Sequence, residues 1–170
     1  MAWTPSTPEL GIQPIAVSST TQNHPIGTSI TAYDPVLGSG EFIYLPGVAS
    51  TVVGSLVTYQ TGPTVATAFT TLAPNTAHLA APVAVAMSAN VAAGFGWYQI
   101  AGAATIKKTA TKVSPAVPLF LSSTVGRVQA TAVSGKEVLN CVSMNTATVA
   151  SATSTIVAII NRPFAQGQAV

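Results

Sequence analysis

Short runs of alternating hydrophobic and polar residues, separated by glycine and proline, extend over most of the chain. In residues 82–88 the larger apolar side chains fall at every second position. Because successive side chains of a strand point to opposite faces, this spacing predicts β-strands. The other runs are 28–33, 41–45, 52–60, 96–100, 119–121, 127–133, 137–144 and 153–160. Short strands with a turn signal about every ten residues are typical of a sandwich or barrel.

We therefore predict an all-β fold, a compact β-barrel or β-sandwich with little helix, over residues 27–164. Only two alanine-rich stretches, 64–71 and 145–154, suit a short helix, and their Thr and Val residues lower helix propensity. The adjacent aromatic residues Trp97 and Tyr98 should point to opposite faces of a strand. We expect one in the core and the other at an edge or interface.

The first 26 residues contain four prolines and predict an extended N-terminal arm. Proline removes a backbone donor and fixes φ, so this segment suits neither a helix nor a central strand. Its apolar residues are predicted to contact a neighbouring subunit or the assembly, since an extended arm can add to a sheet edge. These predicted contact residues are Trp3, Leu10, Ile12, Ile15 and Val17. Residues 165–170 are expected to form a C-terminal tail.

Charged residues make up only 6% of the chain, against about 25% in an average soluble domain. None occurs between Glu41 and Lys107. A free monomer normally has charge on about a quarter to a third of its surface positions. Removing water from a neutral surface costs little free energy, so such a surface favours a protein that is packed against partners. A secreted protein with a Thr/Ser-rich exterior is the alternative interpretation.

The few basic residues include one local cluster, Lys107, Lys108 and Lys112, in a net charge of +2. A nucleic-acid-binding protein neutralises several phosphates through a clustered basic face, so we expect no nucleic-acid partner. The cluster is interpreted as a solvated loop or strand end, with a contact patch as the alternative.

Nothing in the sequence indicates a membrane or an export route. No stretch reaches 18 uninterrupted apolar residues, and residues 1–5 show no basic region leading into an apolar core. We expect synthesis in a cytoplasm and no membrane partner.

The chain has few groups for catalysis or metal binding. The candidates are His24, His78, Asp34, Glu41, Glu137 and Cys141. No GxSxG elbow, phosphate-binding glycine loop or metal-ligand spacing accompanies them. The lone Cys141 lies in an apolar context and suits a buried small hydrophobe. We predict a protein that is not an enzyme and uses no cofactor or metal; a small hydrolase pairing a histidine with a carboxylate is the alternative.

Residues 32–50, with the sequence AYDPVLGSGEFIYLPGVAS, resemble small structural proteins encoded in the head-gene clusters of tailed phages. The resemblance continues through 52–59, 81–87 and 96–102 and returns at 161–164. It thus spans roughly positions 24–164, loosely between 103 and 160, and does not include the proline-rich arm. The matching segments are typical of packing and turn sequences and contain no catalytic signature.

This resemblance implies a capsid decoration, or cement, protein. Such a protein is β-rich, often a homotrimer, and lies on the outer capsid surface of the virion over junctions between copies of the major capsid protein. The alternative within the virion is a tail, fibre-base or head-fibre module that binds a host surface.

Overall fold

The computed structural model describes residues 3–6, 11–61, 68–89 and 92–168, which form eleven β-strands. The strands are β1 (Thr4–Pro5), β2 (Ser29–Asp34), β3 (Gly38–Pro46), β4 (Leu56–Gln60), β5 (Phe69–Leu72), β6 (Val83–Ala86), β7 (Phe95–Lys107), β8 (Pro118–Leu121), β9 (Val128–Gln129), β10 (Glu137–Ser143) and β11 (Thr155–Ala165). The prediction of an all-β fold is confirmed. No described segment forms a helix long and apolar enough to cross a membrane.

All eleven strands join one antiparallel sheet, which is not closed into a barrel. Its main path runs β1-β2-β3-β7-β11-β10-β8-β9, and the 13-residue β7 is its axis. β3 pairs with residues 95–102 of β7, whereas β11 pairs with residues 101–107. β6 pairs with residues 98–99 of β7 and connects the main path to β4 and β5. The sheet therefore branches at β7.

The hairpin between β2 and β3 follows from a local turn sequence. The carboxylate of Asp34 accepts hydrogen bonds from the backbone N–H groups of Val36 and Leu37, at 2.8 and 3.0 Å. The ring of Pro35 fixes φ at a value that suits the turn. Gly38 has a φ of +81°, which glycine adopts without a Cβ penalty. These residues hold the exposed Val36 at the tip of the hairpin.

Three groups of buried apolar side chains line the two faces of β7. One group contains Trp97 and a second contains Tyr98, and both side chains are fully buried. The expectation that one of these aromatic residues would lie at an edge or interface is wrong. Other elements of the chain cover both faces of β7 at this point. The third and largest group lies between β6, β7, β8, β10 and β11.

Several segments differ from the sequence-based prediction. The strand predicted over 52–60 begins only at Leu56, the one predicted over 127–133 is reduced to Val128–Gln129, and β7 continues to Lys107 beyond the predicted 96–100. Residues 145–154 form a loop without a helix, and Phe69–Leu72 forms a strand where a helix was possible. Residues 64–67 of that candidate helix lie outside the described residues. The last strand continues to Ala165, one residue into the predicted tail, and residues 169–170 are outside the described part.

Candidate interaction surface

The outward face of β10 and β11 presents a row of exposed apolar pairs. Leu139 lies opposite Phe164, and Val142 lies opposite Ile159. All four side chains are between 37% and 47% exposed. Residues directly opposite each other in an antiparallel pair share a face, so these pairs form an apolar strip. The exposed Asn140, Asn161 and Arg162 interrupt the strip between the two pairs. Met144 extends the strip, because its N–H donates to the carbonyl of Val157 on β11.

Neighbouring strands widen this strip without adding charge. Across the sheet, Ile159 is opposite Ala103 on β7, and Val142 is opposite Pro118 on β8. Ala103 is 3% exposed, so the exposed part of this row crosses three strands, β11, β10 and β8. The charged Arg162 lies on β11 and forms an exposed ion pair with Glu41, with Nη2 and Oε2 2.8 Å apart. We call the surface formed by Leu139, Val142, Met144, Val157, Ile159 and Phe164 the outer face.

Two irregular residues determine which side chains reach the outer face. Asn140 has a φ of +59° and Arg162 a φ of +47°. At this point, between Leu139 and Cys141, the pairing register of β10 with β11 shifts. Extra residues of this kind are β-bulges, which reset the alternation of a strand. Val138 and Cys141 therefore both point inward although they are three residues apart, while Leu139 remains outside.

The outer face ends in an apolar cleft of 390 Å³ beside the tip of the β2–β3 hairpin. The wall on one side is the hairpin tip, and the opposite wall is the end of β10 with the loop that follows it. Lining residues include Val36, Leu37, Met144, Val149 and Val157. Val36 is 87% exposed, the largest exposed fraction among the big apolar side chains described.

The predicted contact residues of the N-terminal segment lie mostly against their own domain. Ile15 is buried, Ile12 is half-buried, and the ring of Trp3 packs edge-on against Phe42 at 4.9 Å. Val17 is 48% exposed, and Leu10 is outside the described residues. Of the segment's described contact candidates, Val17 alone has a side chain largely open to a partner.

Hydrogen bonds join this segment to the β domain across the predicted boundary at residues 26 and 27. Gln13 is buried, and its side chain bonds to Val17, Asn23 and Tyr44. Its carbonyl accepts a bond of 2.9 Å from the indole N–H of Trp97. The described residues 11–26 therefore pack as part of the domain.

The three lysines of the basic cluster have different surroundings. Lys107 ends β7 half-buried, and Lys112 is exposed. Lys108 is buried, which the interpretation as a solvated cluster did not anticipate. Its ammonium donates to the carbonyls of Thr111 and Ala150 at 2.8 and 3.0 Å, with longer contacts to two further carbonyls. Burial lowers the pKa of this lysine.

The candidate catalytic residues take part in separate local contacts. The Nε2 atom of His24 accepts a bond from the N–H of Gln13, and the Nδ1 atom of His78 lies 3.0 Å from the carbonyl of Gly167. Asp34 caps its turn, and Glu41 pairs with Arg162.

The remaining candidates lie on β10. Glu137 is half-buried at the start of β10. Cys141 is buried, as predicted, and burial raises its pKa to about 12. Within the described ranges, no three His, Cys, Asp or Glu side chains gather in a way that could hold a metal ion.

Sequence reasoning did not identify the outer face, although one signal was present. Residues 156, 157, 159 and 160 are all apolar, so β11 is apolar on both faces. No protein-family model, curated protein or solved structure matches this chain. The interpretation of this surface therefore depends on its own geometry and chemistry.

Proposed function

We propose that this chain is a structural virion protein that binds the outer surface of a phage capsid and stabilises the shell. It would do so by bridging neighbouring copies of the major capsid protein. The observation that carries the proposal is the outer face, an exposed apolar surface on β10 and β11 that Pro118 extends onto β8. Exposed apolar patches of this kind mark interaction sites, because water is a poor solvent for them.

Three further features support the same proposal. The chain has 6% charged residues, which favours a protein that is surrounded by partners. Its candidate catalytic groups lie in separate structural contacts. The sequence resembles structural proteins of phage head-gene clusters, for which the expected partners are the major capsid protein and further copies of the chain, often as a homotrimer.

The mechanism is mechanical and needs no chemical step. A protein that binds the assembled shell and not the free capsid subunits shifts the equilibrium towards the shell by mass action. At a concentration 100 times the Kd, each bound site stabilises the shell by about 2.7 kcal/mol. Among the predicted contact residues, Val17 and Lys112 have the exposure that a capsid contact requires.

Binding to undecorated capsids tests the proposal. Purified chain would be titrated onto shells that lack it, and occupancy would be followed by cryo-EM and by the temperature at which the shells disassemble. We expect saturable binding in a fixed ratio to the major capsid protein and a disassembly temperature that rises with occupancy. Absence of binding would refute the proposal, and localisation to the tail or to one vertex would favour the fibre or tail alternative.

A further inference from the structure

The loop that follows β10, residues 145–154, has few apolar contacts of its own. Within it only Asn145 and Val149 are half-buried, and the other residues are exposed. The loop nevertheless forms one wall of the apolar cleft beside the β2–β3 hairpin, to which it contributes Asn145, Thr146, Val149 and Thr153. A segment with so few buried apolar side chains depends on polar contacts for a fixed position.

Such polar contacts join the loop to residues 108–113, which follow β7. The backbone groups of Val113 and Val149 bond to each other in both directions, at 3.1 and 2.9 Å. The N–H of Lys108 donates to the carbonyl of Ser154 at 2.9 Å. These contacts hold the middle and the end of the loop against one segment.

The side chain of Lys108 adds a contact between the same two segments. Four backbone carbonyls lie around its Nζ atom, those of Thr111 at 2.8 Å, Ala150 at 3.0 Å, Thr109 at 3.3 Å and Ser151 at 3.5 Å. We call these four carbonyls the carbonyl cage. Two of them belong to the segment that carries Lys108 and two to the loop, so the cage is complete only when the loop is docked.

The carbonyl cage suits a cation that donates hydrogen bonds. A lysine ammonium has three N–H donors, and hydrogen bonds from an ionised donor are about twice as strong as neutral ones. Lys108 is buried, and none of the described carboxylates forms a salt bridge with it. A buried charge is costly unless it is paired or hydrogen-bonded, so the carbonyls stabilise this ammonium. We propose that the Lys108 ammonium is an internal cation that fixes the loop 145–154 and thereby the cleft wall that the loop forms.

This makes Lys108 a positioning residue for the binding of a partner, because it acts through the loop. The cleft lies at one end of the outer face, where the proposed function places the capsid contact. A loop that is already ordered loses less conformational entropy on binding, so the fixed wall raises affinity. The effect on capsid affinity rests on the proposed function, whereas the fixation of the loop does not.

Hydrogen exchange on the purified chain tests the fixation. Lys108→Met fills the space of the lysine stem without a donor. It should speed exchange of the Val113 and Val149 amides at least about 10-fold, because the charge-assisted bonds are lost. The control is Lys112→Met at a neighbouring exposed lysine, which should leave both rates unchanged. Circular dichroism would verify that both variants fold. Exchange at the wild-type rate in Lys108→Met would overturn the proposal.

Added cations distinguish an ammonium site from simple packing. Lys108→Ala removes three methylenes and the ammonium, which propylammonium ion can replace together. Propylammonium chloride should slow exchange at Val149 in this variant, or refold the variant if it is unfolded. Tetramethylammonium chloride has the same charge but no N–H donor, so it should do neither. Equal effects of the two salts, or no effect of either, would overturn the proposal.

Affinity for undecorated capsids is the second measurement. Lys108→Met should bind them at least about 3-fold more weakly than the wild-type chain, because the loop must then be ordered on binding. If the wild-type chain does not bind capsids, the proposed function fails, and the exchange experiment still decides whether Lys108 fixes the loop. Faster exchange with an unchanged capsid affinity would overturn the positioning role.

Discussion

Replacing Gln13 with leucine tests whether the N-terminal segment belongs to the folded domain. Gln13 is 5% exposed. Its side chain forms hydrogen bonds with two residues of the N-terminal segment and with Tyr44 on β3. Its amide donates to the carbonyl of Val17 at 2.6 Å, and its carbonyl oxygen accepts from the amide of Asn23 at 2.9 Å. The same oxygen accepts from the hydroxyl of the buried Tyr44 at 3.0 Å. Leucine has a similar volume but none of these bonds.

The expected loss of stability depends on whether each hydrogen-bond partner of Gln13 can bond to water after the substitution. Val17 and Asn23 are exposed, so water can replace the lost bonds, and each costs about 0.5 to 1.5 kcal/mol. The hydroxyl of Tyr44 is buried and loses its acceptor, which costs about 1 to 3 kcal/mol. Together we expect a loss of about 3 kcal/mol in the free energy of unfolding. For a domain of this size the corresponding fall in Tm is about 6 to 12 °C.

Urea denaturation followed by tryptophan fluorescence measures this loss, because the buried Trp97 reports on the site where Gln13 binds. The control is Gln60→Leu, at an exposed position of β4, which should change stability by less than about 0.5 kcal/mol. If Gln13→Leu is as stable as Gln60→Leu, the inference that residues 11–26 pack as part of the domain is refuted.

Three further predictions concern stability. Gly102→Ala should cost several kcal/mol in denaturant unfolding, because Gly102 has a φ of +98° and a Cβ there would lie 2.4 Å from the carbonyl oxygen of Ser39. Burial lowers the pKa of Lys108, so between its folded pKa and 10.5 the unfolded state holds more protons, and stability should rise with pH relative to Lys108→Met. Burial raises the pKa of Cys141 from 9.0 to about 12, so the folded state keeps its proton longer, and stability should fall by about 1.4 kcal/mol per pH unit above 9 relative to Cys141→Ala. Equal pH slopes in a variant and the wild type would contradict either titration prediction.

Alternation and turn residues were sufficient to predict most strands, because these signals are local. The Asp34-Pro35 turn fixed one hairpin, and the clean alternation of residues 82–88 marked β6. The second half of β7 was missed, since residues 101–107 are mostly small and show no strong alternation. These residues form a strand because β11 pairs with them along their length. That pairing is a tertiary contact, which a local pattern does not contain.

The N-terminal segment shows how a correct local inference can leave the partner open. Its prolines do exclude a helix, and the described residues outside β1 run mostly without regular strand pairing. Its apolar residues do bind a surface, as expected of a segment that docks. The surface is the chain's own domain, where Ile15 is buried and Trp3 contacts Phe42. Sequence alone indicates that such residues need a partner, and only the fold decides which one.

The outer face is the reverse case, because the sequence pattern of its main strand is one that normally indicates burial on both sides. A strand that is apolar on both faces is normally assigned to the interior of a layered fold, where both sides are covered. β11 has the same pattern, yet the described part of the chain covers only its inner side, with Ile160 buried and Ile159 47% exposed. β11 thus has more apolar side chains than its own fold buries. A chain that has few charges and also leaves this strip exposed has the surface of a subunit that is completed by its neighbours.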